Sequence, residues 1–185
     1  MALTETEQIP LYYPAPDFQL PEPRTGKMVA KEEVMGSRGL VVMFICNHCP
    51  YVVHVREELV RLAREYASRG VGFVAISSND VENYPDDRPE LMAQLAEEMN
   101  FPFSYLYDET QEVAKAYRAA CTPDFSVFDQ EGRCVYRGRL DESTPGNGKP
   151  VTGADLRACL DALLEDRRVV EQQFPSMGCN IKWKK

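Results

Sequence analysis

The chain has 185 residues, which is enough for one domain of ordinary size with a sizeable hydrophobic core. Its 21 Lys and Arg against 29 Asp and Glu give a net charge of −8, which disfavours nucleic acid or an anionic membrane surface as the main partner. An apolar content of 44% argues against a disordered chain, and six cysteines are too few for a disulfide-scaffolded miniprotein. The composition indicates an acidic globular protein whose cysteines need an explanation.

The N-terminal residues carry no positive charge before Arg24 and no apolar stretch typical of a signal sequence. The longest apolar run, Leu40 to Cys46, is far shorter than the roughly 20 residues needed to span a bilayer. We therefore expect a cytoplasmic protein without a membrane-spanning segment. Thiols are kept mostly reduced in that compartment, so a cysteine pair is more often catalytic or metal-binding than structural.

The chain begins with a proline-rich stretch, which we assign to an arm over residues 1–26 that packs on a domain spanning residues 27–170. Residues 40–45 form a short, β-branched, apolar run that is typical of a central parallel strand. The next apolar positions recur at steps of three and four and predict an amphipathic helix that stops at Arg69-Gly70. Residues 71–77 predict a second buried strand.

The segment from about residue 79 to residue 100 is polar and broken by prolines before it becomes helical, and we interpret it as a helical insertion. Residues 104–107 predict a short strand, and residues 113–117 predict a short helix. Residues 125–128 and 134–138 flank a turn, which predicts an antiparallel β-hairpin.

The last predicted helix begins near Thr152, with Asp155 in a capping-box position, and continues through Leu163. Residues 171–185 are predicted to be a C-terminal tail. Strand–helix–strand units followed by a hairpin and a closing helix indicate an α/β fold with a central mixed β-sheet. This order of elements is typical of the thioredoxin fold, a three-layer α/β/α sandwich.

The strongest local signal is the Cys-Asn-His-Cys-Pro segment over residues 46–50, placed where a buried strand passes into a helix. Two intervening residues let the sulfur atoms of Cys46 and Cys49 approach bonding distance. A helix N-terminus favours the thiolate, so we expect a lowered pKa at Cys46, with protonated His48 adding to the effect. The predicted chemistry is attack by Cys46 on a substrate disulfide and resolution by Cys49. The Cys46–Cys49 disulfide would be the redox centre, with no other cofactor.

A Cys-x-x-Cys pair can also be half of a structural zinc site or an inert part of the core. Zinc normally takes four ligands, and the sequence has neither a second Cys-x-x-Cys nor a histidine besides His48 and His54. The spacing of Cys121, Cys134 and Cys179 gives no support for a shared site. We therefore expect no metal.

Cys121-Thr122-Pro123 stands immediately before the predicted hairpin. Pro123 is either a strand-entry residue or a cis-proline that packs against the cysteine pair and offers a backbone edge to a substrate. The residues alone leave both readings open. Cys121 beside this proline and Cys179 in the tail are candidate accessory thiols, whereas the other two cysteines outside the pair are expected to be structural.

Four stretches carry a resemblance that spans nearly the whole chain: Ala15-Pro-Asp-Phe-Gln-Leu20, Gly39-Leu-Val-Val-Met-Phe44, the cysteine pair, and Thr122-Pro123. They resemble the thioredoxin-like AhpC/TSA and TlpA group. A peroxiredoxin-like subgroup is most similar, because its Asn-His-Cys-Pro site and Gly-Cys-x-Ile-Lys-Trp tail match residues 47–50 and 178–183. The resemblance implies a thiol–disulfide oxidoreductase, a reductase or isomerase, with a cis bond before Pro123.

We accordingly predict Cys46, Cys49, His48 and Pro123 as catalytic residues. Thr122 and Asn47 are the predicted substrate-binding residues. The expected partners are a disulfide-containing protein or small molecule and a thiol that donates electrons.

Departures from the related families leave an alternative. Leu40 stands where thioredoxins place a buried acid, so the group that accepts the proton of Cys49 is open. The Thr-x-x-Cys-Pro segment of peroxiredoxins aligns with residues 46–50, which would make Cys49 a peroxidatic cysteine that is oxidised to sulfenic acid. However, Cys46 replaces the threonine that helps to bind peroxide, and Val42 replaces the upstream proline. Disulfide exchange is therefore the main hypothesis and thiol peroxidase the alternative.

Overall fold

A computed structural model describes residues 2–185; Met1, the first residue of the predicted arm, lies outside the described residues. The strands are β1 (Leu3–Glu5), β2 (Gln19–Glu22), β3 (Lys27–Ala30), β4 (Gly39–Phe44), β5 (Val71–Ser77), β6 (Ser104–Tyr107), β7 (Cys121–Thr122), β8 (Asp124–Phe128), β9 (Cys134–Gly138) and β10 (Met177–Asn180). The helices are α1 (Lys31–Val34), α2 (Pro50–Ala67), α3 (Pro89–Glu98), α4 (Glu112–Ala116) and α5 (Ala154–Leu164), with a 3₁₀ turn at Pro85–Asp87.

Five strands form the central sheet in the order β6-β5-β4-β8-β9. Strands β4, β5 and β6 are parallel, whereas β8 is antiparallel to both β4 and β9, so the sheet is mixed as predicted. All six residues of β4 are buried because both faces of the sheet are covered. The sequence-predicted strand, helix and hairpin segments are found within a few residues of their expected bounds.

Alternate residues of β4 enter two separate hydrophobic cores, as the period of two in a strand requires. Val41 and Met43 pack with residues of α2 and α5 on one face of the sheet. Leu40 and Val42 pack on the other face with apolar residues of the N-terminal arm, such as Phe18. These layers give the three-layer arrangement. No helix within residues 2–185 combines the length and apolarity needed to cross a bilayer.

The start of α5 differs from the predicted capping box. Its N-cap is Gly153, and the Asp155 carboxylate accepts a hydrogen bond from the Arg139 guanidinium at 2.6 Å. The backbone N–H groups of Thr152 and Gly153 instead donate to the Asp141 carboxylate, at 2.8 and 2.7 Å. The first-turn N–H groups of Asp155 and Leu156 both donate to the Leu140 carbonyl oxygen, at 3.2 and 3.1 Å. A backbone oxygen of the preceding loop therefore caps the helix, and local spacing could not indicate this contact.

The segment over residues 171–185 is predicted to be a C-terminal tail, but it contains strand β10. This strand lies between β1 and β7 in a second, three-stranded sheet. Cys179 is the residue of β10 opposite both Leu3 and Thr122, and it is only 4% exposed. Antiparallel hydrogen bonds on both edges hold the segment. The arm over residues 1–26 contributes β1 and β2, so both chain ends are structural parts of the domain.

Candidate active site

The cysteine pair lies where β4 passes into α2, in the predicted place. Helix α2 starts at Pro50, and Cys49 is its N-cap residue. The backbone N–H groups of Val52 and Val53 donate to the Cys49 carbonyl oxygen, at 3.0 and 2.9 Å. The sequence analysis expected Cys46 at the helix N-terminus, but the helix begins later, so Cys49 occupies that position.

Three thiols surround Thr122. The Sγ atoms of Cys49 and Cys179 lie 2.7 Å apart, and the Cys49 Sγ is 3.3 Å from the Thr122 carbonyl oxygen. The Cys46 Sγ is 3.6 Å from the Thr122 hydroxyl oxygen. Within residues 2–185 all six cysteines are free thiols. The pair itself is covered, because Cys46 is 1% and Cys49 is 0% exposed.

The pKa values of the two cysteines are shifted in opposite directions, lowered at Cys49 and raised at Cys46. A hydrogen bond from the Cys46 thiol lowers the pKa of Cys49 to about 4, and hydrogen bonds from Cys179 and the Val52 backbone add to the effect against the penalty of burial. The same bond with Cys49 raises the pKa of Cys46 well above its ordinary value, as do burial and the charge of Asp87. This arrangement favours the thiolate at Cys49, whereas the sequence predicts it at Cys46, and the identity of the nucleophile stays a prediction.

The Thr122–Pro123 peptide bond is cis, which confirms the expectation drawn from the resemblance. The bond is placed beside the pair because β7 carries Thr122 to both sulfur atoms. Cys121 is also buried, but its Sγ faces the carbonyl oxygens of Pro123 and Ser176, at 3.7 and 3.9 Å. Burial raises the pKa of Cys121. Of the two candidate accessory thiols, the structure brings only Cys179 into contact with the pair.

Asp87 is a residue of the site that the sequence analysis missed. Its fully buried carboxylate accepts four hydrogen bonds, from the backbone N–H groups of Asn47 and His48, the Asn79 amide and the His48 ring. The His48 Nδ1 lies 2.5 Å from the carboxylate, and the ring is stacked on Tyr84 with centroids 6.0 Å apart. The insertion therefore fixes both residues between the two cysteines.

The side chain of Asn47 is already engaged within the protein. Its amide group donates to the Asp86 carbonyl oxygen at 2.9 Å, and its Oδ1 accepts from the Tyr105 hydroxyl at 2.9 Å. Both contacts orient the loop between the cysteines. Thr122, the other predicted substrate-binding residue, is 3% exposed. The structure thus gives Asn47 a positioning role, and substrate contact by either residue stays a prediction.

Cys46, His48 and Asp87 each place one potential metal-ligating atom within 4.8 Å of the others. The His48 Nδ1 is bound to Asp87, and the same carboxylate oxygen also accepts from Asn79. His48 and Asp87 are thus engaged in a hydrogen-bonded network, whereas the Cys46 Sγ contacts the Thr122 hydroxyl. The expectation that the site holds no metal stays a prediction.

No local pattern marks Asp87 in the sequence, since it is one of several acidic residues in a proline-broken segment. Cys179 did carry a signal, because it belongs to the Gly-Cys-x-Ile-Lys-Trp segment noted above. A tail with this pattern gives no indication of where its cysteine lies, and the contact with Cys49 arises from the strand β10.

Comparison with known proteins decides the family. The family model described as Redoxin matches residues 13–156, which is more than half of the chain. The chain belongs to the Redoxin family. Among curated proteins, this Redoxin is 28% identical over 120 residues to the "Thiol:disulfide interchange protein DsbE" of Allochromatium vinosum. The match covers 64% of this chain and 61% of that protein, so it spans less than two thirds of the relative's length.

Solved structures agree with this fold. An uncharacterized conserved protein from Geobacillus kaustophilus is 59% identical to this Redoxin, with a TM-score of 0.97 over 100% of this chain and 97% of that one. A hypothetical protein from Sinorhizobium meliloti is 47% identical, with a TM-score of 0.95 over 98% of each chain. A thiol:disulfide interchange protein of the thioredoxin family from Chlorobium tepidum is 18% identical, with a TM-score of 0.64 over 85% and 99%. The fold is thioredoxin-like.

Proposed function

We propose that this Redoxin is a thiol–disulfide oxidoreductase whose redox centre is the Cys46–Cys49 pair. The observation that carries the proposal is the placement of both sulfur atoms against the cis-proline segment, with the Cys46 Sγ 3.6 Å from the Thr122 hydroxyl oxygen and the Cys49 Sγ 3.3 Å from the Thr122 carbonyl oxygen. The lowered pKa of Cys49 favours a thiolate in the pair. A thiolate is the nucleophile in disulfide exchange, and a neighbouring thiol can resolve the mixed disulfide. Membership of the Redoxin family and the similarity to DsbE support the same activity.

We assign the first step to Cys49, because its lowered pKa favours the thiolate there; this is the reverse of the order expected from the sequence. In the reducing direction the Cys49 thiolate attacks one sulfur of a substrate disulfide and releases the other as a thiolate. Cys46 then attacks the Cys49 sulfur of the mixed disulfide, and the second substrate thiolate leaves. The substrate gains two electrons, the Cys46–Cys49 bond forms, and the Cys46 proton passes to a released thiolate. A thiol electron donor then reduces the pair again.

His48 is proposed to carry the Cys46 proton during the second step. Its ring nitrogen and the Asp87 carboxylate both lie within 4.8 Å of the Cys46 Sγ, and Asp87 fixes the ring. A positioned base contributes a factor of about 10² or more to a proton-transfer step. In rapid-quench kinetics, His48→Leu should leave formation of the mixed disulfide unchanged and slow its resolution at least about tenfold. Equal slowing of both steps would contradict this role.

The proposed substrates are disulfide-containing proteins or small disulfides. Because both sulfur atoms of the pair are covered, a substrate reaches them only after the surrounding segments move apart. This favours a flexible peptide segment or a small molecule over a disulfide on a rigid surface. A cytoplasmic location stays part of the proposal, and fractionation of cells that express the full-length chain tests it.

Turnover of a disulfide-containing peptide, coupled to dithiothreitol as electron donor, tests the proposed function. Cys46→Ala and Cys49→Ala should each lower turnover at least about 100-fold, because either change removes one sulfur of the couple. Cys159→Ala is the matched control, since Cys159 is a buried cysteine on α5 outside the site. Full turnover by either site variant would contradict the proposal.

The peroxidase alternative is kept as a second candidate because one observation favours it. A buried Cys49 with a pKa near 4 and adjacent thiols is suited to attack a small peroxide and then to form a disulfide. A double variant, Cys46→Ala with Cys179→Ala, leaves no adjacent partner for a sulfenic acid at Cys49. Rapid sulfenate trapping in this variant at stoichiometric hydrogen peroxide would favour the peroxidase, and none after prolonged exposure would exclude it.

A further inference from the structure

The segment Gly178-Cys-Asn-Ile-Lys-Trp183 places a third thiol against the redox pair. The Sγ atoms of Cys179 and Cys49 are 2.7 Å apart, whereas a disulfide bond is about 2.05 Å long. A bond therefore needs the two sulfur atoms to approach by only about 0.7 Å. The Cys46 thiol also interacts with Cys49 and lowers its pKa, so Cys49 has two neighbouring thiols as potential disulfide partners.

The fold holds Cys179 in this place through several contacts of its segment. A Cβ on Gly178 would lie 1.9 Å from the Thr122 carbonyl oxygen, so only glycine lets β10 come this close to β7. The Asn180 N–H donates to the Ala2 carbonyl oxygen at 3.0 Å, and the Ile181 N–H donates to that of Ala120 at 3.1 Å. These two bonds, from the residues that follow Cys179, anchor the segment to the chain on each of its two edges.

The following residue, Lys182, ties the same strand to the segment that positions His48. Its N–H donates to the Asn79 side chain and its carbonyl oxygen accepts from the Asp80 N–H, each at 2.8 Å. Asn79 in turn donates to Asp87. Cys179 is therefore part of the same connected network as the redox pair, and it is not a cysteine on a free tail.

We propose that Cys179 is a third redox thiol, which exchanges with Cys46 for the disulfide to Cys49. This inference rests on the proposed function of the Cys46–Cys49 pair. Starting from the oxidised pair, the Cys179 sulfur attacks the Cys49 sulfur, the Cys49–Cys179 bond forms, and the Cys46–Cys49 bond breaks. The proton of Cys179 passes to Cys46, which leaves as the free thiol. One disulfide replaces another, so no oxidant or reductant is consumed.

Protonation of Cys179 depends on the state of Cys49. Burial, the hydrogen bond to Cys49 and the negative charge of Cys49 together raise the pKa of Cys179 to about 12, while Lys182 acts to lower it. Oxidation of Cys49 removes the bond and the charge. Deprotonation of Cys179 therefore becomes easier when Cys49 is in a disulfide. This is the state in which attack by Cys179 on Cys49 is productive.

The exchange gives the oxidised protein two forms with different free thiols. In one form Cys179 is free between β1 and β7, and in the other Cys46 is free beside the loop that carries His48. A reducing partner would attack the Cys49–Cys179 bond in one form and the Cys46–Cys49 bond in the other. The third thiol can thus separate the bond formed during substrate reduction from the bond that the thiol electron donor reduces.

Disulfide mapping distinguishes the two bonds. Trypsin leaves Cys46 and Cys49 together in a peptide of residues 39–56, and Cys179 in a peptide of residues 169–182. The Cys49–Cys179 bond joins the two peptides, whereas the Cys46–Cys49 bond makes the first one lighter by two hydrogens. The full-length protein is oxidised with diamide, quenched in acid, alkylated, digested and analysed by mass spectrometry.

In the Cys46→Ala variant we expect the joined peptides as the main product, at a rate independent of protein concentration. Wild type should give both products, and Cys159→Ala should match wild type. The Cys46→Ala protein is also incubated with oxidised glutathione, and its folding is checked by circular dichroism. If the folded variant gives only glutathione adducts of Cys49 and no joined peptides, the proposal that Cys179 is a third redox thiol is overturned. If the Cys179→Ala variant still forms the Cys46–Cys49 bond, the proposed function of the pair stands even when the third thiol is overturned. If neither the Cys179→Ala variant nor wild type forms the Cys46–Cys49 bond, the proposed function fails.

Discussion

Replacing Cys46 by alanine should raise the pKa of Cys49, because the hydrogen bond from the Cys46 thiol is the largest cause of its low value of about 4. A hydrogen bond to a charged group is worth about 1.5–3 kcal/mol, and one pKa unit corresponds to about 1.4 kcal/mol. The expected upward shift is therefore about one to two units. Cys46→Ser keeps a hydroxyl donor at the same position and should shift the pKa of Cys49 less than alanine does.

The thiolate absorbance at 240 nm, followed as a function of pH, measures this shift. The other cysteines do not interfere below neutral pH, because burial raises the pKa values of Cys121, Cys134 and Cys159. The Cys179→Ala variant, which loses a weaker donor, provides a comparison with a smaller expected shift. A Cys49 midpoint in Cys46→Ala that is equal to or below that of wild type would refute the assignment of the thiolate.

Three further predictions concern the frame around the site. Burial raises the pKa of Asp124 to about 6, so the free energy of unfolding of wild type should fall as the pH rises from about 4 to above 6. Asp124→Asn should abolish this fall and be more stable at pH 7 by up to about 3 kcal/mol. Equal pH profiles of the two proteins in urea unfolding would contradict this prediction. Arg137→Met should cost about 3 kcal/mol or more in the same assay, because the buried guanidinium donates to three backbone carbonyl oxygens; a cost below 1 kcal/mol would be inconsistent. Gly178→Ala should displace β10 from Thr122, because the added Cβ would meet the Thr122 carbonyl oxygen. Disulfide turnover by the Cys46–Cys49 pair should remain measurable, while the joined peptides of the mapping experiment disappear. Persistence of the joined peptides would argue against the close approach of β10 to β7.

The sequence predicted the elements that have strong apolar patterns. Strand β4 and helix α2 bury apolar residues at periods of two and about 3.6, so both are visible without tertiary information. The Cys-x-x-Cys pair was located correctly at their junction. The cis state of Pro123 followed from the resemblance to related proteins, because the residues alone left it open.

The parts that could not be predicted depend on contacts between distant segments. Strand β10 has four residues and includes Gly178, so no periodicity marks it, and its partners lie at the other end of the chain and in β7. The location of the thiolate depended on where α2 begins and on which donors reach Cys49. Asp87 became part of the site because the insertion folds back over the cysteine loop, and the spacing of the motif contains no information about that contact.

The central claim is that Cys46 and Cys49 form a reversible dithiol–disulfide couple, and a redox titration of the full-length protein tests it most directly. The protein is equilibrated in dithiothreitol buffers of graded potential, quenched in acid and alkylated, and the peptide of residues 39–56 is quantified by mass spectrometry. The account predicts one reversible two-electron transition in which Cys49 becomes protected from alkylation, both in this peptide lighter by two hydrogens and in the peptide joined to residues 169–182. Complete alkylation of Cys46 and Cys49 at every potential would contradict it.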